Sequence, residues 1–279
     1  MVHSFLLIGQ SNMAGRGFLK DVPLLFDNQI KMLVNGRWQT MWEPINHDRP
    51  TAGVGLAASF AATWRLKHEG EEIGLIPCAD GGTSLDDWAV GEVLFEHAVF
   101  QAKLAQRIST VAGILWHQGE NDCSLEQSSR YQEKFSLIVE AFRRELNTPD
   151  IPLIIGGLGD FLSRGRYGAY FTGYPAVNEA LQQFASTTPN CYFVTAAGLT
   201  ANPDGLHFDA VSQRIFGIRY FEGFHQQKHI LAQLPDEKGI VDSISNRPLS
   251  KAEKAALLEI RFANGELALV DLEMQLQNL

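Results

Sequence analysis

Phe5-Leu6-Leu7-Ile8-Gly9-Gln10-Ser11-Asn12-Met13-Ala14-Gly15-Arg16-Gly17 is the stretch on which the reading of this chain turns. Four apolar residues in a row, with no polar alternation, suit a strand covered on both faces. The run stops at Gly9 and gives way to small and polar residues. A strand that breaks in this way offers the Ser11 hydroxyl at the lip of a sheet, where a nucleophile is useful. Ser11 alone could equally cap the first helix. The case for chemistry depends on what the rest of the chain brings to the same edge.

Four more short apolar runs read as buried strands, at 73–78, 111–116, 153–158 and 192–194. Helical stretches separate them, at 55–67, 94–108 and 125–146. In the last of these Tyr131, Phe135, Ile138 and Phe142 fall on one helical face. Val177, Leu181 and Phe184 mark another helix, and Val211, Ile215, Ile218 and Phe221 the final one. Strand–helix alternation implies right-handed crossovers and a parallel sheet. The expectation is a three-layer α/β/α sandwich with a five-stranded parallel sheet over residues 1–232. Residues 233–279 form a C-terminal extension of unassigned role, with a linker at 234–239, a helix at 249–260 and strand-like alternation at 266–272. It either packs on the main domain or serves self-association into a homo-oligomer.

With 279 residues, 45% of them hydrophobic, the chain has ample material for a core. A formal net charge of −9 argues against a nucleic-acid partner, because phosphate neutralisation needs a basic surface. No apolar run approaches the roughly 18 residues of a membrane span. The start Met-Val-His-Ser-Phe lacks the basic and apolar regions of a signal peptide, so the expected location is cytoplasmic. Cys78, Cys123 and Cys191 are scattered, odd in number and without CxxC spacing, which suits reduced thiols.

Sites in open parallel sheets form beyond the C-terminal ends of the strands. The first strand leads to Ser11. The second leads to Asp80-Gly81-Gly82-Thr83-Ser84-Leu85-Asp86-Asp87-Trp88, and the third to His117-Gln118-Gly119-Glu120-Asn121-Asp122. The fifth leads to Asp204-Gly205-Leu206-His207, read as the opening of the final helix. Each block has a plain alternative, such as a turn, a solvated carboxylate or a glycine that only supplies positive φ. Their convergence on one edge has no such explanation. Ser11 needs a base to take its proton. His207 is the candidate, and Asp204, three residues earlier, can reach its other ring nitrogen. Ser11 N–H, Gly82 N–H and a side-chain amide from Gln118 or Asn121 would make an oxyanion hole.

Together these blocks resemble the SGNH/GDSL hydrolase superfamily. More narrowly, they resemble its sialate O-acetylesterase and carbohydrate esterase family 6 (acetylxylan esterase) group. The segments that carry the resemblance are Gly9-Gln10-Ser11-Asn12-Met13-Ala14-Gly15, Asn46-His47-Asp48-Arg49-Pro50, Gly81-Gly82-Thr83-Ser84, Trp116-His117-Gln118-Gly119-Glu120 and Asp204-Gly205-Leu206-His207. The resemblance implies a flavodoxin-like fold and removal of O-acetyl groups from a sugar through an acyl-enzyme, with no cofactor and no metal. It makes Ser11 the nucleophile, His207 the base and Asp204 the triad acid. The narrower group favours Gln118 as oxyanion donor, while the wider superfamily's G-x-N-D pattern points to Asn121. Glu120 becomes a second acid that could support His207. Trp88, Arg16 and Arg49 are weaker candidates for substrate contact, the two arginines with a carboxylate or sugar hydroxyls, and His47 and Asp48 for shaping the loop near Ser11.

Competing classes are a thioesterase or lysophospholipase of the same superfamily and a carbohydrate-binding protein without activity. A metal hydrolase would use His117, Glu120, Asp204 and His207, but no tight ligand spacing is present. Gly53-Val54-Gly55-Leu56-Ala57-Ala58 matches a dinucleotide fingerprint in form only, because no strand precedes it.

Overall fold

The structure is a computed structural model and describes residues 2–279. Strand β1 is Val2–Gly9, followed by the single-turn α1 at Ser11–Ala14. Strands β2 (Ile30–Val34) and β3 (Arg37–Thr40) precede α2 (Leu56–Lys67), β4 (Ile73–Pro77) and α3 (Val93–Ala105). Then come β5 (Ser109–His117), α4 (Leu125–Ser129), α5 (Tyr131–Glu145) and β6 (Leu153–Gly156). The rest is α6 (Tyr174–Thr187), β7 (Cys191–Val194), α7 (Ala210–Gln226), α8 (Glu237–Ser245), α9 (Lys251–Ala263) and α10 (Leu269–Gln277).

The sheet has seven strands in the order β3-β2-β4-β1-β5-β6-β7, not the expected five. The five apolar runs are β1, β4, β5, β6 and β7, all parallel, and they reach the β7 edge. The two extra strands form a hairpin at one edge, in which β3 is antiparallel to β2. Polar residues alternate along β3, whose Arg37 and Gln39 are exposed. It is therefore half-buried and lacks the continuous apolar run that marks the others.

Side chains alternate between faces along each strand, and both faces are covered. Leu6, Ile8, Ile114, Trp116, Leu153 and Ile155 meet Phe95 of α3, Phe135 and Phe142 of α5, and Val177 and Leu181 of α6. Phe5, Leu7, Leu115 and Ile154 meet Phe60 of α2 and Phe216 and Tyr220 of α7. Burial on both faces is why the central strands read as unbroken apolar runs.

Three local expectations change. The helix read across 125–146 breaks at Arg130 into α4 and α5, with Ser124 capping α4. Asp204 to His207 lies in a turn before α7, whose N-cap is Asp209, its carboxylate accepting from Ser212 N–H. The alternation at 266–272 is not a strand. Leu272 is buried while its neighbour Val270 is exposed, and α10 rests on α9, with no strand beside it to pair its backbone groups.

The tail lies against the main body. Arg219 of α7 pairs with Glu237 at 2.5 Å. Ile244 of α8 joins the core beneath α2. Buried Glu253 of α9 accepts from Asn28 N–H and from Arg247. These contacts hold the Glu253 carboxyl at a pKa of about 2 despite its desolvation.

Candidate active site

β1 stands at the centre of the sheet, between β4 and β5. Its C-terminal end is where the chain's connections diverge to either side, the usual crevice for a ligand in such sheets. Gly9 makes the close approach possible. Its φ is +131°, and a Cβ there would fall 2.0 Å from the His117 carbonyl oxygen of β5. Gln10 N–H then donates to that oxygen at 2.9 Å, and the chain turns into α1.

The residues around Ser11 each hold a neighbouring loop. Gln10 Oε1 accepts from Gly119 N–H at 3.2 Å and Asn121 N–H at 3.4 Å. Asn12 Oδ1 accepts from Phe208 N–H at 3.0 Å, and its Nδ2 donates to Leu206 O at 3.4 Å. Asn12 thus brackets His207 from both sides. Gln-Ser-Asn is an assembly point for the whole edge. Asn12 was not singled out in the sequence; its place inside the Gly-Gln-Ser-Asn-Met block was the available signal.

Ser11 Oγ lies 3.0 Å from His207 Nε2, and His207 Nδ1 lies 2.7 Å from Asp204 Oδ2. A carboxylate can only accept, so the proton sits on Nδ1 and leaves Nε2 free to accept from the Ser11 hydroxyl. Asp204 Oδ1 also accepts from Leu206 N–H at 2.8 Å and His207 N–H at 3.0 Å. This is an Asx turn, completed by Gly205 at φ +68°. Burial raises the Asp204 pKa, but these donors outweigh it and hold the carboxyl below its ordinary range. Ser11 itself is buried and the His207 ring is 18% exposed, so the array opens to solvent at one side.

The Asp80–Gly82 loop faces Ser11 from the other flank. A Cβ on Gly81 would lie 3.4 Å from Ser11 Cβ. The Asn46–Pro50 block holds this loop down. Asn46 exchanges two hydrogen bonds with Ala79, at 2.7 and 3.1 Å. Asp48 accepts from Gly81 N–H at 2.8 Å and pairs with Arg16 at 2.6 Å. Arg49 reaches Asp80 at 2.8 Å and Gly81 O at 3.0 Å. His47 takes no part in these bonds. Gly82, at φ +78°, is left with open space around it. Ser11 N–H and Gly82 N–H have no hydrogen-bond partner among the described residues.

Three sequence expectations are corrected here. Gln118 is fully buried and its amide is spent inside the protein. Its Nε2 donates to Thr83 O at 3.0 Å and Asp122 Oδ2 at 2.5 Å, and its Oε1 accepts from Tyr131 at 2.9 Å. It has no hydrogen left for an oxyanion. Asn121 is exposed, and its Nδ2 donates to Gly82 O at 2.7 Å, beside the free Gly82 N–H. Trp88 is also fully buried, edge-on to Trp116 with its Nε1–H on Thr83 at 3.1 Å, and cannot stack on a sugar. Arg16 has a 9% exposed side chain and is bound to Asp48 and Gly15 O, so it braces the loop.

Glu120 does not touch His207. Its Oε1 accepts from Asn12 Nδ2 at 2.5 Å, and its buried Oε2 has no partner. His117 is enclosed beside it, with Nδ1 3.9 Å from Glu120 Oε1. Desolvation lowers the His117 pKa in spite of Glu120, so its ring stays neutral. Gly53 and Gly55 are taken up by packing against the Ser11 loop. A Cβ on Gly53 would fall 2.2 Å from Gly17 O, and Val54 bridges to Gly17, so these glycines admit the Ser11 loop. No cluster that could hold a metal ion is present among the described residues.

Residues 1–226 match the family described as carbohydrate esterase, sialic acid-specific acetylesterase. The chain belongs to that family. It is a carbohydrate O-acetylesterase. A probable carbohydrate esterase of Arabidopsis thaliana is 29% identical over 245 residues, covering 79% of this chain and 89% of the plant protein. The solved structure of that plant protein superposes with a TM-score of 0.72 at 27% identity, over 80% of the esterase and 98% of the plant chain. NanS (TM-score 0.66, 18% identity, 81% of this chain and 97% of NanS) shares the fold. So does a carbohydrate acetylesterase from Xanthomonas citri (TM-score 0.60, 18% identity, 80% of this chain and 57% of that one).

Proposed function

We propose that the esterase removes acetyl groups from sugars of the xylo-oligosaccharide or sialate type by nucleophilic catalysis at Ser11. The observation that carries this is the Ser11–His207–Asp204 chain of hydrogen bonds, facing two unpartnered backbone N–H groups. His207 Nε2 takes the Ser11 proton as Oγ attacks the acetyl carbonyl. Ser11 N–H, Gly82 N–H and the second Nδ2 hydrogen of Asn121 receive the developing oxyanion. Asp204 holds the ring tautomer and stabilises the imidazolium. The imidazolium returns its proton to the departing sugar hydroxyl, leaving acetyl-Ser11. His207 then takes a proton from a water that attacks the acetyl carbonyl and passes it to Ser11 Oγ as acetate leaves, restoring the serine and the neutral base. The family and the plant relative, both named for carbohydrate esters, support a sugar over a lipid or thioester substrate.

The test is hydrolysis of 4-nitrophenyl acetate by the wild type and by Ser11→Ala. Loss of at least about 10⁴-fold in kcat is expected, in line with removal of a serine nucleophile elsewhere. Equal rates would remove Ser11 from the reaction.

A further inference from the structure

The connection between β6 and α6 wraps from one side of the site to the other. A Cβ on Gly165 would lie 2.6 Å from Gly205 O, so this connection touches the turn that carries His207. At its far end Gly173 N–H donates to Cys123 O at 3.0 Å, just past Asn121. Between these two anchors lies a cleft of about 460 Å³, within the range of small-ligand sites. Asn121, Gln127, Tyr167, Tyr170, Phe171 and Leu206 line it. Leu206 adjoins His207, and Asn121 holds Gly82. The cleft therefore shares its wall with the turn that carries His207 and with the amide that holds Gly82. Tyr167 is 42% exposed and Tyr170 is 76% exposed. Arg166 lies 5.7 Å from the Tyr167 ring centroid, and no carboxylate pairs with it among the described residues.

A pyranose has a face of C–H groups and a rim of hydroxyls. Tyrosine offers the matching parts, an apolar ring with a polar tip. We propose that this cleft is the glycosyl subsite, where the sugar ring lies on Tyr167 and Tyr170 while its acetyl group reaches Ser11. Asn121 and Gln127 meet the hydroxyls. Arg166 at the rim gives an acidic sugar a partner that a neutral one does not use. This inference rests on the sugar-deacetylation reading above.

The test compares kcat/KM for an acetylated sugar with kcat/KM for ethyl acetate, which has no ring to stack, by titrating released acid. Acetylated xylo-oligosaccharide and O-acetyl sialate are both assayed, with wild type, Tyr167→Ala, Tyr170→Ala and Tyr170→Phe. The sugar-to-ethyl-acetate ratio should fall by about fivefold to tenfold in the alanine variants, mainly through KM, as expected for one lost stacking contact. Tyr170→Phe keeps the ring and should restore most of the ratio. A wild-type sugar preference that survives both alanine variants overturns the subsite alone. A wild type with no preference for either sugar over ethyl acetate overturns the sugar reading, and the subsite with it.

Discussion

The site has an open layer and a closed layer built from similar residues. Ser11, Asp204, His207, Gly82 and Asn121 form the open one. His117, Gln118, Glu120 and Asp122 form the closed one directly behind it, all buried. Each layer has a histidine, an acid and an amide. His207 is hydrogen-bonded on both ring nitrogens, while His117 meets no hydrogen-bond partner on either. Asn121 projects at the rim, whereas Gln118 is saturated. Residue type does not distinguish the layers. Access to solvent does, and between the two amides so does an unspent N–H hydrogen.

The largest difference should appear between the two acids. Asp204→Asn removes the acceptor that fixes the His207 tautomer, and a corresponding change in a serine protease costs about 10⁴ in kcat. Glu120→Gln keeps the shape of a side chain that reaches His207 only through Asn12, and its cost should stay near tenfold. Steady-state kinetics on one acetyl ester settles the order. Equal losses, or a larger loss at Glu120, would make the closed layer part of the chemistry.

How much of this could be read in the sequence follows from the same contrast. The central strands were legible because burial on both faces leaves an unbroken apolar signature. The β2–β3 hairpin was not, because a half-exposed edge alternates with polar residues such as Arg37 and Gln39. Ser11, Asp204 and His207 could be paired by chemistry, since a triad needs those residue types at strand ends. The choice between Gln118 and Asn121 could not be made in the same way. Both are amides within a few residues of each other after β5. Only the partners that Gln118 meets, Thr83 and Tyr131 from other elements and Asp122 from its own loop, show which amide is spent. Trp88 misled for a related reason: its one polar atom finds Thr83 inside the core.

The amides give the next test. Asn121→Ala should lower kcat by about 10²–10³ with little change in thermal stability, as for other lost oxyanion donors. Gln118→Leu should do the reverse. It takes one partner each from Asp122, which keeps Leu85 N–H, and Tyr131, which keeps the residue 118 carbonyl, and it leaves Thr83 O unpaired in a closed interior, where an unsatisfied group costs about 1–3 kcal/mol. A fall of several degrees in Tm is expected, while soluble folded protein keeps most of its turnover. A folded Gln118→Leu protein with a hundredfold loss of kcat would return Gln118 to the oxyanion.

The smallest effect concerns the two histidines and acid. His117 is buried neutral, its pKa lowered mainly by desolvation. In the unfolded chain it takes up a proton near pH 6.5. The unfolded state therefore binds more protons as pH falls through that value, and stability declines with it. Between pH 7 and pH 5 this one residue can account for at most about 2 kcal/mol, at 1.36 kcal/mol per pH unit below 6.5. His117→Leu removes the group. Whatever that change does to stability at pH 7, the variant should lose less Tm than the wild type on moving to pH 5, by a few degrees. An equal slope in both proteins would mean that His117 accepts its proton within the fold, with Glu120 as the counter-charge. The closed layer would then titrate like the open one, and burial would no longer separate them.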